Sequence, residues 1–292
     1  MRSAKTPGRL ESGRQDGWAA WERLKSRTMK PPPVVLTIAG SDNSCGAGAQ
    51  ADLKTITSLG GYGQTAITCV VAEVPGAVES IQPVKTAVVE AQIRLSLEAF
   101  PVRAIKTGML FSPAIVKKVA STLRKLAPET PLVVDPVMVA SSGEPLLEPE
   151  AIDAYEKRLF PHATLLTPNL DELRMLSGMP CEDLVQMEAA GRSLVDLYGC
   201  SILAKGGHLG TKQAVDILIT KDGSERFTAL FRRGVDTHGT GCTFSSAIAT
   251  GLAQGLSLSE AVARGKRFIT AAIEQRLVWG KTTALDHRVQ PS

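Results

Sequence analysis

The chain has 292 residues, enough for one large domain whose core needs no disulfide or metal staple. Its five cysteines and four histidines show no C-x-x-C or metal-ligand pairing, which argues against a disulfide scaffold or zinc site and for a reducing, cytoplasmic setting; no apolar run approaches the ~18 residues of a membrane span. The formal charge of +4 belongs to one end, since residues 1–33 hold eight basic and three acidic residues and the remainder 25 and 26, so the body carries no electrostatic footprint for nucleic acid.

Residues 1–33, rich in Arg, Gly and Ser and ending in Pro31-Pro32-Pro33, read as a disordered extension, and residues 34–292 as a single domain. From there, apolar β-branched runs alternate with helical stretches. Val34–Ala39 reads as a buried strand, Gly46–Leu59 as a helix and Thr65–Val71 as a second strand. Thr86–Glu98 has helical spacing. Ala104–Thr107 and Leu132–Val134 are short strands with a helix between them that starts near Pro113. Ala163–Leu166 and Ser201–Ala204 are two more strands, and Val215–Thr220 with Arg226–Phe231 fits a hairpin across Lys221-Asp222-Gly223-Ser224. Two helices are expected to close the chain, the second opening on a capping box, Ser257-Leu-Ser-Glu260. The alternation predicts an α/β fold, a three-layer α/β/α sandwich on a mainly parallel sheet. Ligands of such sheets bind at the carboxyl ends of the strands.

Three groups of residues fall there. Gly40, Gly46 and Gly48 follow the first strand and allow a tight turn with close ligand approach, ahead of Asp52 and Lys54 on the next helix. Neither G-x-G-x-x-G nor a Walker A pattern is present, which speaks against a nucleotide-binding oxidoreductase. His238-Gly239-Thr240-Gly241-Cys242-Thr243 brackets a helix start with glycines. Unpaired amides there make an anion site suited to a phosphoryl group in transfer. Cys242 at that start is expected to have a lowered thiol pKa, as a base or nucleophile, or else to be a small packing residue. Finally, Asp135, Asn169, Glu172 and Lys205 each follow a strand. Together they could hold Mg²⁺ and nucleotide phosphates; singly, each acid also fits a helix cap or loop charge.

The stretches LTIAGSD…GAGAQADLKT, TGML, VVDPVM, LLTPNLDEL, AKGGH and HGTGCTFSSA, in this order from Val34 to about Ala272, resemble the hydroxymethylpyrimidine/phosphomethylpyrimidine kinases of the ribokinase-like superfamily. HGTGCT is the most discriminating, since related sugar kinases usually carry Asp where Cys242 stands. The resemblance implies ATP, Mg²⁺, a homodimer and two successive phosphorylations in thiamine biosynthesis. It places Gly40, Asp52, Val71, Glu73, Met109 and Val137 around the pyrimidine. It puts Lys205, Asn169 and Thr240 at the ATP phosphates, Asp135 and Glu172 at the metal, Cys242 as the base, and Gly239, Thr240 and Gly241 at the anion hole. The sequence departs from the family pattern at Cys45, where a second glycine is usual, at Val74-Pro75-Gly76 after Glu73, and at Trp279–His287, where a stretch ending in Gly-Pro is usual. A pyridoxal kinase of the same superfamily and a ligand-binding protein without transfer activity are the competing readings.

Overall fold

Buried runs such as Val34–Asp42 become strands because both of their faces are covered, so neighbouring residues enter different cores. The computed structural model describes residues 30–138, 149–207, 213–230 and 238–289; the extension expected over residues 1–33 lies, up to residue 29, outside them. Among the described residues the strands are β1 (Val34–Asp42), β2 (Tyr62–Val74), β3 (Ala77–Pro83), β4 (Val102–Thr107), β5 (Leu132–Val134), β6 (Leu165–Leu166), β7 (Ser201–Gly206), β8 (Gln213–Thr220), β9 (Gly223–Leu230), β10 (Leu277–Trp279) and β11 (Thr282–Ala284). The first nine make one sheet in the order β3-β2-β1-β4-β5-β6-β7-β8-β9. Pairing is parallel from β2 through β7 and antiparallel at both edges.

The helices are α1 (Gly48–Ser58), α2 (Thr86–Ala99), α3 (Pro113–Leu126), α4 (Pro149–Ala154), α5 (Leu170–Ser177), α6 (Leu184–Tyr198), α7 (Thr240–Ala253) and α8 (Leu258–Glu274). Leu36, Ile105, Val134, Leu166 and Ile202 face one core with Ile93 of α2, Ile115 of α3, Leu173 of α5 and Met187 of α6. Val35, Ala104, Val133, Leu165 and Leu203 face the other with Ile56 of α1, Phe244 of α7 and Phe268 of α8. The result is the three-layer sandwich that the alternation predicts. α8 opens on the expected Ser257/Glu260 capping box.

The structure adds elements to the sequence reading, among them α4. β3 is an additional strand, joined to β2 by a two-residue Pro75-Gly76 turn with Gly76 at φ +85°. Proline then glycine suits the centre of a type II turn, so the Val-Pro-Gly departure from the family pattern is hairpin chemistry. Most of β3 is exposed, which is why its apolar alternation is faint. α6 is a further helix, and the chain closes on the β10–β11 hairpin and the segment after it rather than on helices.

Candidate active site

The ends of β1, β2, β4, β5, β6 and β7 and the start of α7 bring most of the expected residues together. Gly239 caps α7 in the left-handed conformation, φ +78°, and a β-carbon on it would lie 1.8 Å from the carbonyl oxygen of Gly46. The two glycine-rich motifs, nearly 200 residues apart in the chain, therefore meet backbone to backbone. His238 closes the joint: its Nε2 lies 3.2 Å from Oδ2 of Asp42. Asp42 also accepts the Ser44 and Ala47 amides at 2.6 and 2.7 Å. Burial works against its charge, yet these bonds, His238 first, hold its carboxyl well below the usual carboxylate range. Asp42 and His238 organise the loop; both stand inside the glycine-rich stretches, where the sequence assigns them no role of their own.

Behind the joint lies a sealed polar cluster. Lys106, on β4, donates to both oxygens of Asp52, on α1, at 3.0 and 2.9 Å. Thr37 Oγ1 and Ser246 Oγ also donate to that carboxylate, at 2.5 and 2.6 Å. Both charged side chains are 0% exposed. All four acceptor positions of the carboxylate are used, so Asp52, expected beside the substrate, has no open oxygen facing a ligand in this structure. Lys106 was missed by the sequence reading; its signal was a lysine inside the otherwise apolar run Ala104-Ile105-Lys106-Thr107.

Among the residues expected at the nucleotide phosphates and metal, Lys205 Nζ donates to Oδ1 of Asp135 at 3.0 Å. Thr167 Oγ1 donates to the same oxygen at 3.2 Å, while Ser245 reaches Oδ2 at 3.5 Å. Burial lowers the Lys205 pKa, but Asp135 and then Glu172 outweigh it and the net shift is upward. Gly241 packs on this pair: a β-carbon there would lie 3.1 Å from Lys205 Nζ and 3.3 Å from Asp135 Oδ2. Asn169 and Glu172 form the capping box of α5. The two carboxylate oxygens of Glu172 accept the backbone amides of Met138 and Asn169, at 3.0 and 2.9 Å. Burial pushes that acid upward.

Cys242 stands in the first turn of α7, half-buried. The helix start was expected to lower its pKa. Instead, burial pushes the thiol up to about 11, against the opposing pull of Lys106. The desolvation of a thiolate outweighs the helix dipole here. Thr240 precedes it in the same turn.

Of the residues expected around the substrate, Gly40 and Val71 lie in β1 and β2, and Glu73 near the end of β2, half-buried, with its amide held by Asn43 Oδ1 at 2.7 Å. Burial, then Asp42, raises its carboxyl pKa. Met109 follows β4, its carbonyl accepting Thr68 Oγ1 at 2.6 Å. Val137, after β5, is held at φ +48°. A valine in that region is strained, and such strain collects at functional sites.

A family model described as phosphomethylpyrimidine kinase matches residues 42–285. The chain belongs to that family. The hydroxymethylpyrimidine/phosphomethylpyrimidine kinase of Mycobacterium tuberculosis is 42% identical over 251 residues, covering 86% of this chain and 91% of that one. The thiamine biosynthesis bifunctional protein ThiED of Geobacter sulfurreducens is 46% identical over 243 residues, 83% of this chain; the match spans 49% of that longer protein. Among solved structures, Staphylococcus aureus pyridoxal kinase in complex with AMP-PCP and pyridoxal superposes with a TM-score of 0.81 at 34% identity, covering 89% of this kinase and 94% of that one. The family is one of kinases, which implies ATP as co-substrate, and the pyridoxal kinase structure holds the ATP analogue AMP-PCP. No described helix of this family member is long and apolar enough to cross a membrane.

Proposed function

We propose that the chain transfers the γ-phosphoryl group of ATP to the hydroxymethyl oxygen of 4-amino-5-hydroxymethyl-2-methylpyrimidine, and then phosphorylates the monophosphate to the diphosphate, in thiamine biosynthesis. The observation that carries this reading is the convergence of Gly241 on the Lys205–Asp135 pair, beside a thiol in the same helical turn. Lys205 faces the β- and γ-phosphates. The α7 amides after Gly239 meet the charge that spreads over the transferring group. The hydroxymethyl oxygen bonds to the γ-phosphorus, the bond to the β,γ-bridging oxygen breaks, ADP leaves, and the hydroxyl proton passes to the sulfur of Cys242. With a thiol near 11, only the small thiolate fraction can take that proton at neutral pH, so positioning and electrostatics supply most of the acceleration.

Mg²⁺ fits Asp135, whose Oδ2 has, among the described residues, only the long Ser245 hydrogen bond; such a metal takes one or two carboxylates and completes its shell with phosphates and water. Glu172 fits it poorly, because its oxygens hold backbone amides. When bound, the metal neutralises phosphate charge. Five free cysteines suit a reducing cytosol. A homodimer has apolar surface available at the β2–β3 edge, where Val70, Val74 and Val78 are exposed.

The pyridoxal reading is favoured by the likeness to pyridoxal kinases, and Glu73 speaks for the pyrimidine. Mass spectrometry of products from the hydroxymethylpyrimidine with ATP–Mg²⁺ tests the proposal. Mono- and diphosphate are expected; phosphorylation of pyridoxal with the pyrimidine left untouched overturns it.

A further inference from the structure

The sealed Lys106–Asp52 pair has a fixed place relative to Cys242. On α1, Gly48 and Asp52 are four residues apart, and on α7 so are Cys242 and Ser246; at that spacing each pair shares a helix face. The two faces are joined one turn beyond Cys242, where Ser246 Oγ donates to Asp52 Oδ1 at 2.6 Å. Lys106 Nζ donates to both oxygens of that carboxylate and is packed under Gly108, where a β-carbon would lie 2.8 Å from it. The ammonium is therefore sealed from solvent on a carboxylate that is hydrogen-bonded to α7 one turn beyond the thiol.

Water does not screen a charge in such a place, so its field acts on the neighbouring sulfur at low effective dielectric. The charged groups that act on Cys242 are Lys106 from β4, Asp52 from α1, Asp135 from the end of β5, and Lys205 from β7. Asp135 and Lys205 neutralise one another across 3.0 Å. Of the charges, Lys106 is the one that most favours the thiolate, and Asp52 is the first to oppose it.

We propose that Lys106 is a positioning residue for the transfer, clamped by Asp52 so that its ammonium is the buried counter-charge of the Cys242 thiolate. The Asp52 carboxylate fixes where that charge stands and moderates its strength. This rests on the reading of Cys242 as the proton acceptor.

The test is the rate of iodoacetamide alkylation of Cys242, followed peptide by peptide by mass spectrometry on the full chain without substrate, across the alkaline range. Alkylation tracks the thiolate fraction, so a shift of one pKa unit changes the rate about tenfold below the pKa. Asp52→Asn removes the opposing charge and is expected to speed alkylation at about pH 8 by roughly tenfold; Lys106→Met is expected to slow it by a similar factor. A purely structural role would loosen the site in both variants and move both rates the same way. Shifts in the same direction, or below about twofold in both, overturn the proposal. Where either single variant fails to fold, the charge-neutral pair Lys106→Met with Asp52→Asn decides. It is expected to alkylate more slowly than wild type, and an equal or faster rate overturns the proposal. Full kcat in Cys242→Ser would remove the base reading and leave the alkylation result standing, so the two failures are distinguishable.

Discussion

The α-carbon of Gly239 is seated so closely against Gly46 that a β-carbon there would lie 1.8 Å from the Gly46 carbonyl oxygen. No side-chain rotation relieves a contact between two backbones, and φ at position 239 is +78°. Gly239→Ala is expected to lower stability by at least about 2 kcal/mol, from the left-handed conformation and the overpacked joint together. It is also expected to lower kcat by more than about a hundredfold, because the donors at the anion hole move. Thermal melting and steady-state kinetics check both; a variant with wild-type values would mean that the joint yields freely.

Cys45, by contrast, occupies φ +59° with a side chain. A residue other than glycine costs about 1–2 kcal/mol there, against about 0.5–1 kcal/mol of added chain entropy for glycine. Cys45→Gly is therefore expected to raise the melting temperature by a degree or so, and a fall of several degrees would contradict the assigned conformation.

The pH dependence of transfer follows from Cys242. Its thiol is raised to about 11, so the proton-accepting form grows as pH rises from neutrality toward that value. kcat is expected to climb through the alkaline range. In Cys242→Ser it is expected to fall about 10²–10⁴-fold and to lose that slope, with the fold retained. A wild-type profile flat from neutral to mildly alkaline pH would remove the sulfur from the proton transfer.

His287 gives a separate pH dependence, of stability. It is 5% exposed, its Nε2 lies 3.0 Å from Thr243 Oγ1, and its carbonyl accepts Ser58 Oγ. Burial, then Lys54, lowers its pKa from 6.5 to about 4. Between those values the unfolded chain binds the proton and the folded one does not, so stability is lost as pH falls through that window. The loss amounts to about 3 kcal/mol at most. Denaturant titrations at several pH values should show a shallower acid loss in His287→Gln; parallel curves for the two proteins would show that His287 does not contribute.

Glu73 is the candidate discriminator between the pyrimidine and pyridoxal. Its raised carboxyl pKa favours the protonated form, which could donate to a ring nitrogen while accepting from the adjacent amine. Pyridoxal lacks that amine, and an unpaired buried polar group costs about 1–3 kcal/mol. Glu73→Ala is expected to cut kcat/KM for the pyrimidine about ten- to a hundredfold more than for pyridoxal. An equal fall with both substrates would show that Glu73 does not read the amine.

Sequence alone determined what depends on local pattern and on recurring motifs. Apolar runs such as Val34–Ala39 marked strands because buried parallel strands need apolar residues on both faces. Ser257 and Glu260 marked a helix start three residues apart, and the glycine-rich stretches with Lys205 and Cys242 pointed to a kinase. The exposed β3 strand left only a faint pattern. What the tertiary structure decided depends on groups distant in the chain and on burial. It joined Gly46 to Gly239 and His238 to Asp42. It sealed Lys106 against Asp52, and it set Glu172, which the sequence leaves open between metal ligand and helix cap, in a capping box with its oxygens on backbone amides. It also reversed the expected direction of the Cys242 shift. A helix start seen in sequence promises a favourable dipole, but the cost of desolvating a thiolate is set by everything packed around it, and that is a property of the folded chain alone.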